Sequence, residues 1–150
     1  MDFYWRRSGG TLREADPERG VAMLDAEVAP VNSWDEFLNR RLSIDVDGLI
    51  PAPARTALDA LPASVHLLGD RVPLSYEVEP AGGVVRLRLK EGQARRLKER
   101  DLPTLDRPVR FTVLRGAREA VRADGLEDLR RQLAALPEAD RRAGGGRRRR

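Results

Sequence analysis

The sequence predicts an α+β domain: a small antiparallel sheet, or a partly open barrel, built on a central hairpin and packed by N-terminal and C-terminal helices. Three observations predict it. Residues 74–79 and 85–90 alternate apolar and polar side chains around a glycine-bearing turn, the period-two pattern of a half-buried hairpin. Leu126, Leu129, Leu133 and Leu136 recur at helical spacing and put one apolar stripe near the end of the chain. Helical signals come first, strands with helical insertions follow, and a helix closes, an order that favours α+β over a parallel βαβ sheet.

The elements follow in order. Residues 1–30 alternate poorly and are punctuated by Gly9-Gly10, Pro17, Gly20 and Pro30, so an irregular segment is expected, with Val21 to Val28 fitting a short helix or a short strand. Ser33, with Glu36 three residues on, forms a capping-box signature, and Trp34, Phe37, Leu38 and Leu42 make one helical stripe behind it. Pro51 and Pro53 lead into a short helix from Ala54 to Leu61, which Pro62 stops. Ser64 to Leu68 reads as a strand with Gly69-Asp70 as its turn. With Pro80 to Gly83 as a four-residue loop, Val78 faces Val85, Glu77 faces Arg86, Tyr76 faces Leu87, and a slip by one would set apolar groups against charges. A polar helix is expected from Gln93 to Arg100 with Ala94 and Leu97 inward, then strands from Val109 to Leu114 and from Glu119 to Ala123, and the closing leucine helix, stopped by Pro137.

A chain of 150 residues is sized for one domain with its own core. Residues 1–136 read as that domain and 137–150 as a disordered basic tail. The net charge of +4 equals the four arginines Arg147 to Arg150, so the body is balanced and the excess lies on the tail. No apolar run reaches the roughly 20 residues of a membrane helix, and the N-terminus lacks the basic-then-apolar order of a signal peptide. Cysteine is absent, which excludes disulfides and thiolate metal sites and fits a cytoplasmic protein.

Neither phosphate-binding glycine motif, GxxxxGK[ST] or GxGxxG after a strand, is present, and no cofactor is implied. His66 is the only histidine and sits on a predicted strand beside Val65 and Leu67, so neither a metal nor a catalytic role is supported for it. Glu77 and Glu79 share a strand face, as an acid/base pair would, but Glu77 lies opposite Arg86 and a cross-strand ion pair is the simpler account. The row Arg86, Arg88, Lys90 is either a phosphate-contacting stripe or a solvated face partly neutralised by those glutamates. Its continuation through Arg95 and Arg96, with Lys98 and Arg100 beyond, favours the binding stripe. Phe3-Tyr4-Trp5-Arg6-Arg7 has the aromatic-plus-cation composition of single-strand binders, although burial as an N-terminal anchor accounts for it better.

Leu61-Pro62, Gly69, Pro73-Leu74-Ser75-Tyr76, Glu79-Pro80 and the strand from Val84 to Leu89 together resemble the C-terminal region of bacterial DEAH-box RNA helicases of the Hrp type. Leu105-Asp106-Arg107-Pro108 and the leucine helix are similar to the end of such a chain, and the resemblance spans residues 34–136. In that family the motor domains hydrolyse ATP and the C-terminal region is accessory. The resemblance therefore implies a nonenzymatic accessory domain whose partners are nucleic acid, RNA in particular, or a helicase motor domain. No catalytic residue of the family maps onto this chain. Two other readings stand beside it: a protein-interaction module docking through a strand edge or the Trp34–Leu42 helix, and an enzyme requiring a deep pocket around His66 and Glu77.

Overall fold

The fold is that of a computed structural model, which describes residues 1–41 and 46–137. Leu42 of the predicted stripe and the basic tail beyond Pro137 lie outside the described residues. Five strands, β1 (Ser64–Leu67), β2 (Asp70–Glu79), β3 (Gly82–Lys90), β4 (Val109–Arg115) and β5 (Arg118–Ala123), form one sheet in sequence order. The sheet is open, so the barrel alternative falls away. It is antiparallel except where β3 and β4 run parallel. That one departure from antiparallel order has a simple cause. A parallel return needs a crossover of a dozen or more residues, and residues 91–108 supply it with α6 (Glu91–Arg96) and a 3₁₀ turn, Glu99–Asp101. The helix expected from Gln93 to Arg100 accordingly stops at Arg96, where the backbone of Leu97 turns extended.

Helices α1 (Asp2–Arg7), α2 (Pro17–Val28), α3 (Trp34–Asn39), α4 (Val46–Leu49) and α5 (Ala52–Asp59) precede the sheet, and α7 (Leu126–Ala135) follows it. The segment 1–30, expected to be irregular, therefore holds two helices and a 3₁₀ turn, Arg13–Ala15. Local capping forms α2: the Asp16 carboxylate accepts from the Glu18 N–H at 3.0 Å, and Pro17 occupies the first helical position. Of the two forms open to Val21 to Val28 it takes the helix, which periodicity did not single out because α2 buries no residue and so carries no core stripe. α3 is capped as its sequence indicates, the Glu36 N–H donating to Ser33 Oγ at 3.1 Å. The return arm of the capping box reaches one residue further back, to the Asn32 N–H.

The core lies on one face of the sheet. Val72, Leu87, Leu89, Phe111, Val113, Val121 and Ala123 pack there against Leu129 and Leu133 of α7 and against Ala94 and Leu97. Leu126 and Leu136 extend the same contact, so the predicted leucine stripe does cover the sheet. The hairpin loop is Pro80-Ala81 alone, with Glu79 opposite Gly82, Glu77 opposite Val84 and Ser75 opposite Arg86, two residues from the predicted register. A shift of two preserves the alternation, which is why Leu74, Tyr76 and Val78 still share a face with Val85, Leu87 and Leu89. Gly82, at φ +126°, belongs to the strand and not to the loop. Gly83 answers a different demand: a Cβ there would lie 2.5 Å from the Cα of Gly9, so the N-terminal segment lies against its backbone.

Arg7 fixes that segment. Its buried guanidinium donates to the carbonyls of Leu58 at 2.7 Å and Leu61 at 2.9 Å, and lies over the rings of Phe3 and Tyr76. Tyr76 in turn donates its hydroxyl to the Pro62 carbonyl at 2.7 Å, and Arg107 Nη1 donates to the Arg7 carbonyl at 2.8 Å. The N-terminal segment is thus anchored through the guanidinium of Arg7, while Phe3 stays half exposed beside it. Among the described residues no helix is long and apolar enough to cross a membrane.

Candidate nucleic-acid interface

The outer face of the sheet is organised by a change of partner within β2. Residues 70–73 pair with β1 and residues 74–79 with β3. The Leu74 N–H donates to Ala63, on the β1 side, so the neighbouring position, Pro73, is the one whose N–H would point to β3. Proline has none, and the β2–β3 ladder ends there. Lys90 makes its backbone bond elsewhere: its N–H donates to Gln93 Oε1 at 2.9 Å, while Gln93 Nε2 donates to Asp70 Oδ2 at 2.7 Å. This buried glutamine bridges the two separated strands. The gap forms a cleft of about 430 Å³ rimmed by Arg71, Arg88 and Lys90, with Asp70, Gln93 and Leu114 among its walls.

The five cations that the sequence singles out have different fates. Arg86, 5% exposed, is enclosed within the sheet's outer layer. Its Nε donates to Glu77 Oε2 at 2.9 Å, its Nη1 to the Phe111 carbonyl at 3.1 Å, and its Nη2 lies 3.7 Å from Glu79. Two further arginines reach over from β4 and β5 to the same acids, Arg110 to Glu79 at 3.1 Å and Arg122 to Glu77 at 2.9 Å. The hydrogen bond from Arg110 is the main cause that holds the Glu79 carboxyl below its ordinary range. Two carboxylates thus serve three guanidinium groups. Arg86 belongs to this structural network and presents no free charge outward.

Arg95 is exposed but bound to Glu91 at 2.7 Å, and Arg115 holds the same carboxylate at 2.7 Å. Hydrogen bonds from Arg115 and then Arg95 pull the Glu91 pKa from the ordinary 4.5 to about 2. Arg88, Lys90 and Arg96 are exposed and make no ion pair among the described residues. Arg71 joins them, its Nε on Ser64 Oγ at 2.7 Å. It escaped the sequence reading because the alternation was read from Leu74 onward, although its outward position, opposite His66, was there to be counted.

No aromatic ring occupies an outward position of β2, β3 or β4: Tyr76 and Phe111 pair with the inward-facing Val85 and Leu87. The exposed His66 lies opposite Arg71, six residues along β2 from Glu77, a separation of about 20 Å at strand rise. The two therefore do not converge as an enzymatic site would require. What the fold and the site define is an open-sheet α+β domain whose outer face carries a basic cleft. Comparison of the chain with protein-family models, with curated proteins and with solved structures finds no match.

Two measurements check this geometry. Arg86→Leu should lower stability in urea unfolding by about 3 kcal/mol, the scale of a broken buried ion pair, whereas Arg88→Leu should stay within about 0.5 kcal/mol. Glu91 has a folded-state pKa below its unfolded one, so its pairing stabilises the fold fully above pH 4.5 and is lost as the pH falls toward about 2. Urea midpoints measured through that acid window should fall less steeply in Glu91→Gln than in the parent chain. Identical slopes would show that the pairing with Arg115 and Arg95 does not persist in solution.

Proposed function

We propose that this chain is a nonenzymatic, helicase-associated accessory domain that holds the backbone of a nucleic acid, RNA in particular. The observation that carries the reading is the cleft, where Arg71, Arg88 and Lys90 stand close together and make no ion pair among the described residues, against one acid on the wall, Asp70, which is bound to Gln93. Arg96 lies just beyond on α6, its Nε on the Gly92 carbonyl and the rest of its guanidinium open to solvent. Unpaired exposed cations gather phosphates because binding releases the counterions condensed on the strand. Among the described residues, strands β2 to β4 carry no outward aromatic ring, and the imidazole of His66 on β1 is the one ring beside the cleft, so the contact there rests on charge neutralisation more than on base readout. The likeness of the hairpin to the C-terminal region of Hrp-type helicases supports the same context. The Pro73 of that shared segment is the residue that ends the β2–β3 ladder and opens the cleft.

The test is a titration of the full chain with single-stranded RNA over a range of salt. Each cation that contacts a phosphate contributes about 0.7 to the slope of log affinity against log salt. Replacing both Arg88 and Lys90 by Glu should therefore flatten the slope by about 1.4 and weaken binding about tenfold at low salt. Absence of binding at low salt would sink the reading. Binding that vanishes when Arg147 to Arg150 become Gln, yet ignores the Arg88 and Lys90 replacements, would transfer it from the cleft to the tail.

A second reading, docking on a protein partner such as a helicase motor domain, is favoured by α2 and α3. Neither buries a residue, and Trp34 is 71%, Leu38 62%, Val21 57% and Leu24 43% exposed. Helices of 12 and 6 residues are marginal in water without a covered face. Glu18, Asp25 and Asp35 beside them suit a basic amphipathic partner surface, while Glu27 is paired with Arg40 and Glu36 accepts from the Asn32 N–H. In the free chain the amides of residues 17–28 and 34–39 should exchange at least about a thousandfold faster than those of β3. Equal protection would mean that these helices need no partner.

A further inference from the structure

We infer that the hollow beside Trp5 is a base-stacking site for one nucleotide of a single strand whose phosphates are gathered at the basic cleft; the inference rests on the nucleic-acid reading and adds a base contact that strands β2 to β4 do not supply. The hollow has a volume of about 700 Å³, and Trp5, Thr11, Arg13, Asp16 and Arg19 line it. That is within the size range of small-ligand sites. Arg13 and Arg19 are exposed and make no ion pair among the described residues. The one acid on the wall, Asp16, has a carboxylate oxygen engaged by the Glu18 N–H as the cap of α2. One indole with two unengaged guanidiniums is the chemistry that holds a base and its phosphate.

The indole is also positioned in advance. Trp5 lies on α1, which Arg7 ties to the carbonyls of Leu58 and Leu61 and which Arg107 ties from the other side. Gly10, at φ +78°, brings the following turn so close that a Cβ there would lie 2.9 Å from a Val78 methyl and 3.4 Å from the indole. Unlike Phe3 and Tyr76, Trp5 takes no part in the Arg7 clamp, so the anchoring role of the N-terminal aromatics leaves it unaccounted for.

Trp5 also borders the outer face. It lines a second hollow of about 400 Å³ together with Arg6, Glu77 and Arg122, the last two being members of the ion-pair network over Arg86. Glu77 pairs with Val84, which stands six residues from Lys90 along β3, about 20 Å at strand rise. A strand seated on Arg71, Arg88 and Lys90 and running along the outer face would reach the indole within a few nucleotides.

The chain has two tryptophans, so Trp34→Phe leaves Trp5 as the sole reporter in the full-length protein. This variant is titrated with an adenine octamer of RNA and with an abasic octamer of the same sugar-phosphate backbone. The adenine octamer should quench the emission of Trp5 and bind about tenfold tighter than the abasic one. Trp5→Ala, followed by anisotropy of labelled octamers, should abolish that preference and leave abasic binding unchanged, while Trp5→Phe should keep most of it. Arg13→Gln with Arg19→Gln should weaken both octamers and flatten the salt slope by about 1.4. If both octamers bind equally and Trp5 emission does not change, the stacking site is overturned while the backbone reading stands. If neither octamer binds, both fall. If Trp5→Ala removes the preference but the replacement of Arg88 and Lys90 by Glu has no effect, the stacking site stands and the cleft loses its role.

Discussion

A guanidinium group has to be kept charged inside the sheet, and much of the outer layer follows from how that is done. Arg86 sits mid-strand in β3, with β2 on one side and β4 on the other. Taken out of water, a charge is costly unless it is paired and its donors are satisfied. Glu77 and Glu79 supply the pairing from β2, and the Phe111 carbonyl supplies an acceptor from β4. Those acids recruit Arg110 and Arg122, so four strands are tied by one network across a face that has no apolar cover. The opposite face is held by leucine, valine and phenylalanine packing. The sheet is thus hydrophobic on one side and electrostatic on the other, and Glu77 and Glu79 are committed to Arg86, Arg110 and Arg122, away from the cations at its far end.

Why the far end differs is a matter of one missing donor. Pro73 breaks the ladder between β2 and β3, β2 turns to β1, and Gln93 bridges the gap from the start of α6. A polar side chain that accepts from one strand and donates to another substitutes for main-chain pairing without closing the space between them. The cleft and its three unpaired cations result from that substitution. At the other end of the hairpin, glycine acts instead of proline. Gly83 admits the backbone of Gly9, and this contact, with Arg7 and Arg107, brings the N-terminal turns and Trp5 against the sheet.

Legibility in the sequence varied with the physical range of the interaction. The leucine helix and the sidedness of the strands were readable because burial imposes a period on neighbouring residues, and the Ser33 cap because it acts over three. The hairpin register was missed by two because parity alone does not distinguish registers that differ by an even number. Helix α2 was left open between helix and strand over Val21 to Val28 because it faces no core, and the crossover to a parallel β4 went unread because strand direction leaves no mark on alternation. Of the basic row, Arg88, Lys90 and Arg96 are where a binding stripe would need them, while Arg86 lies inside and Arg95 shares Glu91 with Arg115.

By itself, then, the sequence determined an α+β domain, the apolar face of each main strand and the helix that covers it, since these depend on local periodicity and on the burial of apolar surface. Which cations are free was decided by the tertiary structure alone. A charge is neutralised by whatever the fold brings within about 4 Å of it, and for Arg86, Arg110, Arg115 and Arg122 those partners come from other strands or from a helix 24 to 45 residues away, or in the case of Arg86 from across its own hairpin.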